Sequence, residues 1–166
     1  MMWKRRKNKK TDYKQRLSLL KSEKPRLVIR KTNKRIIVQV IEYKPESDKT
    51  LVMVTSDKLK DFGWDKSFKS IPASYLVGLL AGMKALKKGI NEVVLDIGLN
   101  ISTKGNKIYA AAKGFNDAGI HLKLGKNILP DESRIMGEHI KAYKNNDIVE
   151  KFKSIKESIM KGEFNE

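Results

Sequence analysis

The chain has 166 residues, enough for one domain with a real hydrophobic core and polar extensions. Its 36 Lys+Arg against 19 Asp+Glu give a net charge of +17, well past the roughly 2 to 8 that solubility asks of a small domain, so a polyanionic partner is expected. With no Cys and two His, a disulfide frame, a thiol nucleophile and a Cys- or His-rich metal site are excluded, and no apolar run nears the roughly 20 residues of a bilayer span.

The excess charge is concentrated at the start. Residues 1–30 hold 12 basic and two acidic side chains. Within MMWKRRKNKK, the cations Lys4, Arg5, Arg6, Lys7, Lys9 and Lys10 fill six of seven positions beside one large apolar residue, Trp3. Such a segment cannot bury enough surface to offset its ordering entropy. It reads as a basic arm for nucleic acid, with a solvated tail as the blander alternative. No apolar signal core follows it, so secretion is not expected.

Thr11 to Lys21 has the pattern of a short helix, capped by Thr11 or Asp12, with Tyr13, Leu17 and Leu20 on one face. Pro25 requires that helix to have ended. Three extended runs follow: Arg26 to Arg30, Ile36 to Ile41 and Thr50 to Thr55, with turns at Asn33-Lys34 and Pro45 to Asp48. They predict an antiparallel meander. In the next connector, which also holds Phe62, Trp64 and Phe68 read as core plugs rather than base-stacking platforms.

From Pro72 to Lys88 the period becomes helical, with Leu76, Leu79, Leu80, Met83 and Leu86 on one face, Pro72 in the first turn and Gly89 past the last. Gly78 and Gly82 on this helix predict a close backbone approach to the sheet. Glu92 to Ile97 is a near-continuous apolar run of the kind a central strand shows. A loop from Gly98 to Gly105 leads to a second helix through Ile108, Ala111, Phe115 and Ala118, stopped at Gly119, and Ile120 to Leu124 suggests a last short strand. After Pro130, Asp131 is placed to cap a helix carrying Ile135, His139, Ile140 and Tyr143. Asp147 with Glu150 resembles a capping box before Ile148, Phe152, Ile155 and Ile159. The order predicts an α/β (α+β-like) fold: helices packed on a mixed sheet made of the meander plus a central strand. The expected division is 1–24 as arm and short helix, 25–125 as a globular RNA-binding domain, and 126–166 as a helical C-terminal extension.

No catalytic constellation is legible. Asp96 ends a strand where a ribonuclease-H-like nuclease keeps a metal carboxylate, but one carboxylate is not a two-metal site; capping the strand end or bonding loop amides is the expected role. No phosphate-cradling Gly-Lys-Ser/Thr loop is present, and His121 and His139, without partner ligands in local spacing, read as satisfied or surface residues. Neither a cofactor nor a metal is expected. A basic strand beside the basic arm is legible: Arg26, Val28 and Arg30 alternate with Leu27 and Ile29, so one strand face can pack on helices while the other shows guanidinium groups to phosphates. Lys31, Asn33, Lys34 and Arg35 fill the adjoining turn. A disordered arm plus a sheet face, without a helix-turn-helix or zinc-finger signature, favours irregular RNA over duplex DNA.

These residues resemble a known family. Thr11-Asp12-Tyr13-Lys14-Gln15-Arg16-Leu17, Lys21-Ser22, Lys24-Pro25-Arg26-Leu27-Val28, Arg30-Lys31 and Asn33-Lys34 are similar to the 5S-rRNA-binding protein of the large ribosomal subunit, the L-eighteen family in its archaeal and eukaryotic form. Pro72-Ala73-Ser74-Tyr75-Leu76, Gly78-Leu79-Leu80-Ala81-Gly82, Val94-Leu95-Asp96-Ile97-Gly98-Leu99, Lys113-Gly114 and Asp117-Ala118-Gly119 continue the resemblance in order. The chain departs from it after Ile120, reading His121-Leu122-Lys123-Leu124 where the family has an Ile-Pro-His-like turn.

The resemblance implies a non-enzymatic, cytoplasmic protein on the ribosome, in the central protuberance. The implied partners are 5S rRNA, large-subunit rRNA and a neighbouring 5S-binding ribosomal protein, with no membrane. Carried over by position, the RNA-binding residues are Lys4, Arg5, Arg6, Lys7, Lys9, Lys10, Tyr13, Arg16, Arg26, Arg30, Lys31, Asn33 and Lys34. Lys104 and Lys107, in the Ser102 to Lys107 loop, are weaker candidates. The alternatives from other classes are a nucleic-acid-processing enzyme on a ribonuclease-H-like layer and a non-specific basic RNA-binding module.

Overall fold

The computed structural model describes residues 7–8, 10–144 and 147–162, with Lys126 in backbone only. Helix α1 is Tyr13–Leu20, and its N-cap Asp12 accepts the amides of Lys14 and Gln15 at 3.0 and 3.1 Å. None of its residues is buried, and Leu17 is 60% exposed, so the apolar face read from the sequence does not dock.

Strands β1 (Arg26–Lys31), β2 (Ile36–Glu42) and β3 (Lys49–Thr55) form the expected meander. β-branched residues fill β2, which is why it pairs on both sides and buries Ile36, Val38 and Val40 on one face. A 3₁₀ turn, Ser56–Phe62, leads to Trp64, which is buried as a core plug with Phe62 and Phe68 packed nearby. Helix α2 is Ile71–Lys87, capped by the Ser70 hydroxyl on the Ala73 amide. Strand β4 is Val94–Asp96 and helix α3 is Lys107–Asp117, capped by Asn106. Helices α4 (Glu132–Met136), α5 (Glu138–Lys144) and α6 (Ile148–Met160) complete the described chain.

The sheet order is β3-β2-β1-β4, with β4 parallel to β1 and the rest antiparallel. Three expectations change here. First, β4 is an edge strand, not a central one; its apolar character reflects packing against the helices. Beyond it, among the described residues, a single bridge between Glu92 and His121 stands in place of a fifth strand. Second, Gly78 and Gly82 bring α2 against α3 rather than against the sheet. A Cβ at Gly78 would overlap the Ala111 carbonyl, one at Gly82 would sit 2.9 Å from the Phe115 carbonyl oxygen, and Gly114 is in similar contact with the Tyr75 carbonyl. Third, the helix expected through Ile135 and Ile140 breaks at Gly137, whose φ of +87° ends α4.

Helix α2 crosses β2 and β3, α3 lies on β1, and α6 packs on α2. Leu27, Ile29, Val38, Leu76, Phe115, Phe152 and Ile159 therefore belong to one core on one face of the sheet. Asp131 and Asp147 make no capping bond with their side chains. Asp147 instead reaches Lys66 at 2.8 Å and Lys151 at 3.3 Å, and Lys66 chiefly pulls its carboxyl down to about 2. No helix among the described residues is long and apolar enough to cross a membrane.

Candidate nucleic-acid interface

Strand β1 is covered on both faces. Leu27 and Ile29 face the helices with no exposure, while Arg26, Val28 and Arg30 face α1 and the loop after β4. This corrects the expectation that Arg26 stands open beside Arg30: Arg26 is only 5% exposed. Its Nη1 donates to Asp96 Oδ2 at 2.9 Å and its Nη2 to Asp48 Oδ2 at 2.7 Å. Asp48 Oδ2 also accepts from Arg16 Nη2, on α1, at 2.9 Å. Asp96 Oδ1 accepts from Arg30 Nη2 at 3.2 Å and from the Gly98 amide at 2.8 Å. The result is a ladder, Arg16–Asp48–Arg26–Asp96–Arg30, with three guanidinium groups on two carboxylates. A buried guanidinium must be paired or it carries the full cost of its lost hydration, and β1 folds with Arg26 inside because Asp48 and Asp96 meet it there.

The ladder lines a cleft of about 290 Å³, closed by Lys10, Asp12, Gln15, Leu19, Ile41 and Leu99. Arg30 is its open end, with 38% of its side chain exposed; Arg16 keeps 34%. Arg30 Nη1 donates to the Ile29 and Asp96 carbonyls at 3.0 and 2.9 Å, so of its five N–H groups those of Nε and the outer Nη2 have no partner among the described residues. These two share one edge of the plane, the fork that pairs two phosphate oxygens.

The turn after β1 is built differently. Thr32 Oγ1 accepts the Lys34 and Arg35 amides at 3.3 and 3.0 Å and donates to the Arg35 carbonyl at 2.9 Å, which closes the reversal. Lys31 at the end of β1 and Asn33 and Lys34 on the turn are exposed. Arg35 pairs with Asp57 at 2.7 Å across a surface that water screens. Burial, aided by the charges of Lys69 and Lys31, holds the Lys107 ammonium below the ordinary lysine range, so three cations from β1, the approach to α2 and the start of α3 share one neighbourhood. Lys104 is exposed on its loop.

Of the remaining expected contacts, Lys7 and Lys10 are exposed and Tyr13 is half-buried at the start of α1, whereas Lys4, Arg5, Arg6 and Lys9 lie outside the described residues. Sequence reading missed Asp48 and Gly98 as parts of the site, and Lys69. Asp48 sat in a stretch read only as a turn; Lys69, a cation just ahead of the helix cap Ser70, was the one with a usable signal. Asp96 bonds a loop amide as expected, and its two oxygens also accept from Arg26 and Arg30, which puts two guanidinium charges where a divalent metal would have to approach. Among the described residues no three His, Asp or Glu side chains gather as metal ligands.

A sequence model of a family described as ribosomal large subunit proteins 60S L5 and 50S L18 matches residues 1–92. The protein named large ribosomal subunit protein uL18 in Korarchaeum cryptofilum is 51% identical over 141 residues, which is 85% of this chain and 72% of that protein. Its namesake in Haloquadratum walsbyi is 47% identical over 84% of this chain and 68% of its own length. That of Methanoregula boonei is 44% identical over 96% and 92%.

Proposed function

The chain belongs to this family of large-subunit ribosomal proteins, a structural and non-enzymatic constituent of the ribosome, and from that premise we propose that it binds 5S rRNA and helps attach it to the large-subunit rRNA in the central protuberance, beside a neighbouring 5S-binding protein. The observation that carries the reading is the open end of the arginine ladder. A guanidinium with a free fork stands on a rigid strand, next to a cleft whose rim is Lys10 of the basic arm. A fixed fork suits selection among RNA backbone shapes; mobile lysines supply attraction without selection.

The contact set comprises the arm residues Lys4, Arg5, Arg6, Lys7, Lys9 and Lys10, then Tyr13 and Arg16, then Arg30, Lys31, Asn33 and Lys34. Lys104 and Lys107 extend it on the far side of the turn. Arg26 acts from within as the strut that holds Asp48 and Asp96. The test is a titration of the full chain against 5S rRNA and against a tRNA at matched salt. At least about tenfold tighter binding to 5S rRNA, a free-energy difference near 1.4 kcal/mol, is expected. Equal affinity for both would reduce the protein to a non-specific basic module and overturn the reading.

A further inference from the structure

Asp96 is a carboxylate lining the face that the proposed function turns toward a polyanion. On charge alone, it should weaken RNA binding. Its geometry argues the opposite. The carboxylate is nearly immobile: Gly98 N–H holds Oδ1 at 2.8 Å and Arg26 holds Oδ2 at 2.9 Å, with Arg26 fixed in turn by Asp48. Against this anchor Arg30 makes three hydrogen bonds, two of them to Asp96 itself.

Gly98 contributes space rather than a bond to Arg30. Its φ is +59°, and a Cβ built there would lie 2.9 Å from the Arg30 guanidinium carbon and 3.0 and 3.1 Å from its two terminal nitrogens. The guanidinium thus lies flat over a backbone position that only a residue without a side chain leaves free.

We propose that Asp96 and Gly98 are positioning residues of the RNA interface: together they seat the Arg30 guanidinium so that its free Nε–Nη2 edge is a preset fork for one backbone phosphate. This rests on the RNA-binding reading above and adds the means by which Arg30 discriminates. Holding the fork before RNA arrives removes the rotamer entropy that a free arginine loses on binding.

The sign of the Asp96 effect separates this from simple electrostatics. Asp96→Asn removes a negative charge, so charge alone makes every RNA bind more tightly. The positioning role makes 5S rRNA bind less tightly, by about fivefold, the order of one charge-assisted hydrogen bond, while a control tRNA binds as well as before or better.

Because Asp96→Asn also leaves Arg26 short of a partner, Gly98→Ala provides an independent route. It alters no charge and adds no contact to Arg26; alanine is strained in this left-handed backbone, a stability cost that the urea melts report separately from RNA binding. We expect Gly98→Ala and Arg30→Lys each to weaken 5S rRNA binding by about fivefold, and the double variant to lose no more than either alone, because both remove the same fork. Urea melts of each variant check that all are folded at the titration temperature. Multiplying losses in the double variant, or Gly98→Ala binding 5S rRNA like wild type, would overturn the positioning role. Wild type failing to prefer 5S rRNA in the same series would instead overturn the underlying function.

Discussion

Two neighbouring stretches of the chain carry the same kind of charge and use it in opposite ways. In Arg26 to Arg30, the guanidinium groups are bound by carboxylates and by main-chain carbonyls, and one of them is buried. In Lys31 to Lys34, immediately after, the cations stand in water on a turn held by Thr32. The first region has the fixed geometry that can select. The second presents exposed ammonium groups on long side chains, which attract without a fixed geometry. The difference teaches that net positive charge does not say how much of a basic protein faces its ligand; the pairing of each cation does.

The largest expected effect breaks the first region outright. Asp96→Ala takes one of two carboxylates from the buried Arg26 and leaves it Asp48 alone; breaking a buried ion pair completely costs about 3 to 5 kcal/mol, which sets the upper bound here. Urea unfolding should show a loss toward that bound, whereas Lys34→Ala in the turn should stay within about 0.5 kcal/mol of wild type. Similar losses for both variants would mean that the ladder is no more structural than the turn.

The second prediction sharpens the role of the turn. If Lys31 and Lys34 each neutralise one phosphate, replacing both by Ala should flatten the plot of log K against log salt by about 1.5 units, near 0.7 to 0.9 per contact. Deleting residues 1–10 should flatten it further. An unchanged slope would move the electrostatic footprint away from this end of the sheet.

How far this was legible from the sequence differs element by element. The period-two runs gave β1, β2 and β3 because their apolar residues alternate or cluster at strand length. The period of 3.6 gave α2, α3 and α6, whose Ile148, Phe152, Ile155 and Ile159 are buried as the spacing requires. The edge position of β4 was not legible: Val93, Leu95 and Ile97 pack on the core, and burial by helices reads the same as burial between strands. Gly137 was passed over because Ile135 and Ile140 keep a helical spacing across it.

The ladder was illegible for another reason. Alternation tells which residues of β1 share a face, but Asp48 is 22 residues from Arg26 and Asp96 is 70, and no local pattern announces such a meeting. Asp96 bonds the loop amide of Gly98 as its place at a strand end suggested, but the two arginines it also holds were not legible.

The smallest expected effect comes from a third charge group that is neither buried nor basic. Asp65, Lys66, Asp147 and Lys151 form an exposed network that ties α6 to the segment before α2. Asp147 lies at about 2, below the ordinary carboxylate value of 3.8, chiefly through its hydrogen bond with Lys66. A group depressed in the folded state contributes stability above its unfolded value and loses it as pH falls through the folded one. The network should therefore act in full above about pH 4 and fade toward pH 2. The gap in melting temperature between wild type and Asp147→Asn should be small at neutral pH and close over that window; a gap independent of pH would contradict the assignment.

The contrast between a selecting strand and an attracting turn is tested most directly by titrating Arg30→Lys and Lys34→Ala against 5S rRNA and against a control tRNA at a single salt concentration. Arg30→Lys keeps the charge and loses the fork, so it should weaken 5S rRNA binding by on the order of 1 kcal/mol and leave tRNA binding nearly unchanged. Lys34→Ala should weaken both by the same factor. If the two variants lose affinity in the same proportion for both RNAs, β1 does not read RNA shape, and the division of roles between these two regions is wrong.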